Sequence, residues 1–128
     1  MKPRILLLED EPGIRSTLRD RLILEGYHVQ TAPDGRRGLN LYYESPVDLV
    51  ITDVLMPEID GLEVIRVLCG KSSPPLIVAM SGGGSRDLDF LLEARELGAT
   101  HTLSKPFHLD DFSTLVNDLL HSIPHQNE

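Results

Sequence analysis

The sequence has one cysteine and no long apolar run, and these two scarcities exclude several classes of protein. Cys69 alone cannot form an internal disulfide, which is typical of proteins in a reducing cytoplasm. No apolar run approaches the roughly 20 residues that a membrane-spanning helix needs. The short apolar run at residues 5–8 is followed at once by acidic residues, unlike a signal peptide. We therefore expect a cytoplasmic domain without a membrane role.

Basic residues are also scarce. Lys and Arg number 12 against 20 Asp and Glu residues, which gives a net charge of −8. Nucleic-acid binding depends on Lys and Arg contacts to phosphates, so this balance argues against direct DNA or RNA binding. The excess acid serves either solubility or the binding of a cation, and only the positions of the acidic residues separate the two explanations.

The residues that are present are typical of one globular domain. Of the 128 residues, 41% are hydrophobic and 25% are charged. We expect residues 1–121 to form this domain and residues 122–128 to form a polar tail or the start of a linker. Cys69 lies in an apolar, helix-like segment, where we expect it to pack rather than to react.

Short apolar runs alternate with segments of helical periodicity five times along the chain. The predicted strands are residues 4–8, 27–32, 48–52, 75–80 and 100–104. Strict alternation predicts an α/β fold of the (βα)5 type, a doubly wound, five-stranded parallel sheet with helices on both faces. Five strands fit the flavodoxin-like order 2-1-3-4-5, in which ligands bind beyond the carboxyl ends of the strands.

The helix boundaries carry their own signals. Pro12 suits the first turn of the first helix, and Gly26 suits its end. Ser85 is predicted to cap the fourth helix. In the second helix we expect Tyr42 and Tyr43 to face the core.

Chemically active side chains follow four of the five predicted strands. Glu9 and Asp10 follow the first strand, Asp53 follows the third, Ser81 follows the fourth, and Lys105 lies just after the fifth. The second strand, which lies at the edge of the predicted order, ends with nothing reactive. The four strands that offer chemistry are therefore neighbours, and their side chains are expected to meet at one edge of the sheet.

This set of side chains favours a metal-assisted phosphoryl site. Glu9, Asp10 and Asp53 repel one another at short range, and the single charge of Lys105 cannot balance three carboxylates. Mg²⁺ is the natural counterion for such oxygen ligands, and a bound Mg²⁺ with open positions can hold a phosphoryl group. Ser81 and Lys105 would then contact the phosphoryl oxygens, and Asp53 is a candidate nucleophile.

With these residues assembled, the chain resembles the response-regulator receiver domains of two-component signalling, the CheY-like family. The resemblance covers residues 3–121 and rests jointly on four motifs: ILLLEDEPG, DLVITDVLMPEIDGLEVI, VAMSGGG and THTLSKPF. It implies that Asp53 accepts a phosphoryl group. It also implies that Glu9, Asp10, Asp53 and the backbone carbonyl of Leu55 hold Mg²⁺, or Mn²⁺ in its place, with Asp10 a direct ligand.

The resemblance also assigns roles around the acceptor. Ser81 resembles the switch Ser/Thr that bonds the phosphoryl group, and Lys105 resembles the lysine of the family site. The peptide bond between Lys105 and Pro106 is one that family members often hold cis. Gly82, in the loop after the fourth strand, resembles the small residue that leaves the phosphorylation site open.

The implied partners follow from the family. A sensor histidine kinase or a phosphotransfer protein would donate the phosphoryl group, and a downstream protein or a fused output domain would read the changed conformation. The chain would be a monomer or a phosphorylation-dependent dimer, and a signalling domain rather than an enzyme that turns over a separate substrate. The acids of the fourth and fifth helices, Asp87 among them, form either a solvated face or a partner face.

Three alternatives come from other classes. A flavodoxin-type electron carrier needs a phosphate-binding loop after the first strand, where this chain has acids. A haloacid-dehalogenase-like phosphatase needs a second acid two residues after its nucleophile, where Pro12 follows Asp10. A pseudo-receiver, which acts only as a protein-interaction module, would lose the metal-binding acids or the lysine, and this chain keeps both.

Two positions depart from the family pattern. Thr102 occupies the place of the usual aromatic residue three positions before the lysine, and His101 is expected to face the opposite side of the strand. Residues 82–84 are three successive glycines, which make the loop after the fourth strand permissive. We expect this loop to carry much of the conformational change.

Overall fold

The computed structural model describes residues 2–56, 59–82 and 85–121, except for the side chain of Ser85. Strands and helices alternate through these residues. In chain order they are β1 Arg4–Leu8, α1 Pro12–Leu24, β2 His28–Ala32, α2 Gly35–Glu44, β3 Leu49–Asp53, α3 Gly61–Cys69, β4 Leu76–Ser81, α4 Ser85–Leu97, β5 His101–Ser104 and α5 Leu109–His121. No helix among the described residues is long and apolar enough to cross a membrane.

The strands form one parallel sheet in the order β2-β1-β3-β4-β5, which confirms the predicted topology. The register sets the relative heights of the strand ends. Leu8 pairs with Thr52, Asp53 pairs with Met80, and Ser81 pairs with Ser104. The residues that follow these strands therefore lie at the same edge of the sheet.

The core has two layers, one on each face of the sheet. On one face α2, α3 and α4 cover Leu6, Leu8 and Val50. On the other face α1 and α5 cover Ile5, Leu7, Ile51 and their neighbours, and Phe112 of α5 is fully buried there. Since both faces are covered, β1 and β3 are apolar at almost every position rather than alternating.

The sequence signals at the helix ends act as expected. α1 begins at Pro12, and Glu11 before it accepts a hydrogen bond from the backbone N–H of Ile14 at 2.7 Å. Gly26 follows this helix with a φ of 99°, a left-handed conformation that glycine adopts without steric cost. The predicted cap at Ser85 concerns a side chain outside the described part.

Tyr43 corrects the prediction for α2. Tyr42 is buried as expected, but Tyr43 is 55% exposed, with the Lys71 ammonium 4.6 Å from its ring centroid. Successive residues of a helix differ by about 100° in direction, so two adjacent tyrosines cannot both face one core. Cys69 is half-buried and packs against the core layer of α3, in line with its expected packing role.

Candidate functional site

Three carboxylates converge at the carboxyl edge of the sheet. One oxygen each from Glu9, Asp10 and Asp53 lies within 4.8 Å of the others. Glu9 is 1% exposed and Asp53 is 8% exposed, whereas Asp10 faces solvent. The ends of β1 and β3, which are adjacent strands, bring these acids together as the sequence predicted.

Lys105 joins the strands that carry these acids. Its Nζ donates hydrogen bonds to Glu9 Oε1 and to Asp53 Oδ2, both at 2.7 Å. Burial by itself lowers the pKa of Lys105, but the hydrogen bonds to Asp53 and Glu9 outweigh it and hold the pKa above its ordinary value. Lys105 is therefore a permanent cation at this site.

The charge of Glu9 remains unfavourable in spite of Lys105. Burial raises the pKa of Glu9 above its ordinary value and outweighs the hydrogen bonds from Lys105 and from the backbone N–H of Glu11. Three carboxylates with one ammonium leave a surplus of negative charge. Convergent oxygen ligands of this kind fit a hard divalent cation, since Mg²⁺ prefers carboxylate oxygens and retains water.

The chain after Asp53 packs directly against the end of β3. The Thr52 hydroxyl donates to the Asp53 carbonyl at 2.9 Å, and the Leu55 N–H donates to Asp53 Oδ1 at 3.3 Å. Gly61, at the start of α3, has no room for a side chain, because a Cβ atom there would lie 1.9 Å from the Asp53 carbonyl oxygen. This contact holds the loop close to Asp53; Pro57, within that loop, lies outside the described residues.

Ser81 lies beside the acidic cluster at the end of β4. Its Oγ is buried and has no hydrogen-bond partner among the described residues. The backbone N–H of Lys105 donates to the Ser81 carbonyl at 2.6 Å, so the ends of β4 and β5 are tied together. A buried hydroxyl without a partner is costly, and it is available to a ligand that brings an acceptor oxygen.

A groove opens beside Lys105. It has a volume of about 810 Å³ and lies between the start of α1 and the segment that joins β5 to α5. Gly82 and Lys105 line it together with apolar side chains such as Ile14 and Phe107. Lys105 is therefore reached from solvent along a mainly apolar wall.

Two of the sequence expectations concern β5 and the peptide bond that follows it. The peptide bond between Lys105 and Pro106 is cis. Thr102 pairs with Ala79 in register, on the face covered by α4, whereas His101 lies on the opposite face and is exposed. Gly83 and Gly84, in the loop expected to carry the conformational change, lie outside the described residues.

Sequence reasoning missed two supporting contacts. Arg15 of α1 donates from Nη1 to the Glu9 carbonyl at 2.9 Å, and the Thr52 hydroxyl bonds the Asp53 carbonyl. An arginine in an amphipathic helix resembles a solvated charge, so its sequence position carried no signal. Thr52 lies in a predicted strand that helices are expected to cover on both faces. The burial expected there was the available clue that its hydroxyl needs a hydrogen-bond partner.

The comparisons with known proteins agree with this geometry. Residues 5–117 match the family described as "Response regulator receiver domain". The chain is 37% identical over 122 residues to the response regulator MprA of Mycolicibacterium vanbaalenii, covering 94% of this chain and 51% of that protein. It is 36% identical over 108 residues to the transcriptional regulatory protein KdpE of Mycobacterium tuberculosis, covering 84% and 46%. The chain thus spans about half the length of these relatives.

A solved structure shares the whole fold. The crystal structure of a response regulator receiver domain protein from Clostridium thermocellum superposes with a TM-score of 0.84 at 30% sequence identity, covering 94% of this chain and 95% of that chain. The acidic cluster of Glu9, Asp10 and Asp53 is typical of the Mg²⁺ site of such domains. The sheet order, the acidic edge and these similarities lead to one conclusion: the chain belongs to the response regulator receiver domains, the CheY-like signalling modules of two-component systems.

Proposed function

We propose that Asp53 accepts a phosphoryl group from the phosphohistidine of a sensor kinase or of a phosphotransfer protein. The observation that carries this proposal is the Lys105 ammonium, held 2.7 Å from the Asp53 carboxylate inside an acidic cluster that fits a divalent cation. A carboxylate placed beside fixed positive charge is suited to attack an anionic phosphoryl group, because the charge that must approach it is neutralised.

In the transfer, one carboxylate oxygen of Asp53 forms a bond to phosphorus while the bond between phosphorus and the donor imidazole nitrogen breaks. The electron pair of that bond stays on the imidazole nitrogen. Lys105 neutralises charge on the transferring group, and the Ser81 hydroxyl, buried and without a described partner, donates to a phosphoryl oxygen. When bound, Mg²⁺, or Mn²⁺ in its place, would supply further charge neutralisation for the phosphoryl oxygens.

The metal ligands proposed are Glu9, Asp10, Asp53 and the backbone carbonyl of Leu55. Asp10 is the exposed member of the cluster and the proposed direct ligand. Leu55 follows the end of β3 by two residues, and its N–H already contacts Asp53 Oδ1. Gly82 keeps the approach to the acceptor clear because it has no side chain.

The phosphoryl group is removed when water attacks phosphorus and the bond to the Asp53 oxygen breaks, which restores the carboxylate and releases inorganic phosphate. The added charge, about −1.5 to −2 at neutral pH, draws Ser81 and Lys105 towards Asp53 and shifts the domain between two conformations. The chain is thus a signalling domain rather than an enzyme with a separate substrate.

The partners proposed are a phosphohistidine donor on one side and an output on the other. KdpE is described as a transcriptional regulatory protein, and this chain matches only about half of it. We propose that residues 1–121 are the receiver, that residues 122–128 begin a polar tail or linker, and that either a fused domain or a separate protein reads the switch.

Intact mass spectrometry after incubation with acetyl phosphate and Mg²⁺ tests the proposal. We expect the mass of one phosphoryl group to be added, to be removed by hydroxylamine, and to be absent both from Asp53→Asn and from a sample with EDTA. A wild-type protein that stays unmodified with acetyl phosphate, and also with a phosphohistidine donor, would favour the pseudo-receiver. An adduct that persists in Asp53→Asn would place the acceptor elsewhere.

A further inference from the structure

A fourth carboxylate lies beside Gly82, the residue that follows β4, and it is not part of the metal cluster. Asp87 is in the first turn of α4, and its side chain reaches back over Gly82. A Cβ atom at position 82 would lie 3.0 Å from Asp87 Oδ2 and 3.8 Å from Asp87 Cγ. Any side chain at position 82 would therefore make a tight contact with the Asp87 carboxylate.

The position of Gly82 connects Asp87 to the site. Gly82 directly follows Ser81, whose buried hydroxyl has no partner among the described residues, and it lines the same groove as Lys105. Asp53 pairs in register with Met80, two residues before Gly82. A phosphoryl group on Asp53 that bonds Ser81 and Lys105 would therefore lie close to Gly82, the residue that the Asp87 carboxylate approaches.

The charges explain what Asp87 would do there. Glu9, Asp10 and Asp53 bring three negative charges, and Lys105 together with one divalent cation would bring three positive charges, so the unmodified site would then be balanced. Phosphorylation adds negative charge to this balance. Asp87 then repels the modified site, and its repulsion acts on the phosphorylated state more than on the free carboxylate.

We propose that Asp87 is a positioning residue whose negative charge limits how strongly the site holds a phosphoryl group on Asp53. It acts through the field it imposes at Gly82 and does not touch the reacting atoms. The inference rests on the proposed function, because it concerns the stability of the same phosphorylated state. Among the acids of α4, Asp87 is half-buried, whereas Asp89 and Glu93 face solvent.

The test compares two variants with the same change in net charge. Asp87→Asn removes the charge next to Gly82 with almost no change in shape, and Asp89→Asn removes a charge from an exposed position of the same helix. The probe is fluoroberyllate, an analogue of the phosphoryl group, titrated in the presence of Mg²⁺ and followed by fluorine NMR. Thermal unfolding of each variant confirms that the proteins being compared are folded.

We expect Asp87→Asn to lower the dissociation constant of fluoroberyllate by about three- to tenfold at low ionic strength. Asp89→Asn should change it by less than about twofold, because an exposed charge is screened by solvent. Raising the salt from about 20 mM to about 500 mM should reduce the change in dissociation constant that Asp87→Asn causes. A purely structural effect of the substitution would not depend on salt.

The outcomes separate the inference from the proposed function. Equal dissociation constants for wild type, Asp87→Asn and Asp89→Asn would overturn the role of Asp87 while leaving Asp53 as the acceptor. Weaker binding by Asp87→Asn, or an effect that ignores salt, would also overturn it. Absence of binding by the wild type, with Asp53→Asn as reference, would overturn the proposed function together with the inference.

Discussion

At the scale of single residues, the site is defined by which polar groups have partners. The Lys105 ammonium has two carboxylate partners, whereas the Ser81 hydroxyl has none among the described residues. Ion pairing fixes the position of Lys105 before any ligand arrives. Ser81 instead keeps its hydrogen-bonding capacity for a ligand, at the cost of burying a hydroxyl without a partner.

Ser81→Ala tests this difference. Since the hydroxyl makes no bond in the described part of the chain, we expect the free energy of unfolding to stay within about 0.5 kcal/mol of wild type or to rise. Binding of fluoroberyllate should weaken, because one donor to its fluorine atoms is lost.

The matched control is Ser113→Ala. Ser113 is also buried, but its hydroxyl helps to hold the pKa of the Glu25 carboxyl below its ordinary value, so we expect its loss to lower the free energy of unfolding by about 1 kcal/mol. Urea denaturation measures both variants. If Ser81→Ala destabilised the protein as much as Ser113→Ala does, this would contradict the idea that the Ser81 hydroxyl keeps its hydrogen-bonding capacity for a ligand.

Cys69 gives a second prediction at this scale. Burial raises the pKa of its thiol above the ordinary value of 9.0, so the neutral thiol stabilises the fold below pH 9.0, and this contribution is lost as the pH rises through the folded-state pKa. At pH 8 we expect Ellman's reagent to react with the native protein at least about tenfold more slowly than with the urea-unfolded protein. Equal rates would contradict the packing role of Cys69.

At the scale of secondary-structure elements, the ends of β3 and α1 are fixed by close contacts from other elements. The start of α3 packs on the last residue of β3 through Gly61, and α5 is tied to α1 by polar side chains. These contacts set where the loops at the site can lie.

Gly61→Ala should be strongly destabilising. Its Cβ atom would lie 1.9 Å from the Asp53 carbonyl oxygen and 2.7 Å from the Val54 Cα, so the backbone of one element must move. We expect a loss of at least about 3 kcal/mol in the free energy of unfolding. Gly70→Ala, at the other end of α3, makes only ordinary contacts at 3.5 Å and should stay within about 0.5 kcal/mol. Similar losses from both, measured by urea denaturation, would refute the close-contact explanation.

A polar tie between α5 and the residues that directly follow α1 centres on Asn117. Its Oδ1 accepts a hydrogen bond from the buried Tyr27 hydroxyl, and its Nδ2 donates to Glu25 Oε1 at 3.1 Å. Asn117→Ala leaves the Tyr27 hydroxyl without this partner, so we expect a loss of about 1–2 kcal/mol. Asp118→Ala, at the next and exposed position, should change stability by less than about 0.5 kcal/mol. Thermal unfolding that ranks the two variants the other way round would disprove the tie.

At the scale of the whole molecule, the fold gathers more acid at one edge of the sheet than its own bases neutralise. The net charge of the chain is −8, and three of its carboxylates share one small region with one lysine. Binding of a divalent cation should therefore stabilise the whole domain, because the native state gathers the ligands and the unfolded chain does not.

Mg²⁺ at about 100 times its dissociation constant should raise the free energy of unfolding by about 2.7 kcal/mol. Asp10 is exposed, so Asp10→Asn should leave the metal-free stability within about 0.5 kcal/mol of wild type while removing most of this gain. Thermal unfolding with Mg²⁺ and with EDTA measures both quantities. An equal gain in wild type and Asp10→Asn would show that the cation binds elsewhere.

The amino-acid sequence by itself determined the architecture, and it predicted which residues would form the site. Alternating apolar runs and helical periods specify strands and helices locally, and parallel βα units pack in few ways, so the order β2-β1-β3-β4-β5 followed. Asp53 and Lys105 were identifiable because each stands where an apolar run ends. Tyr43 was misplaced because two adjacent aromatic residues of α2 give the same local signal whichever of them faces the core.

Only the tertiary structure decided which side chains meet. Lys105 bonds residues 96 and 52 positions away, and the contact of Gly61 with Asp53 and of Asp87 with Gly82 depends on how helices sit on the sheet. Periodicity specifies the direction of a side chain within its own element, but the distance between two elements is set by register, sheet twist and core packing. Those quantities belong to the folded chain as a whole, and they convert a set of strand-end residues into a site.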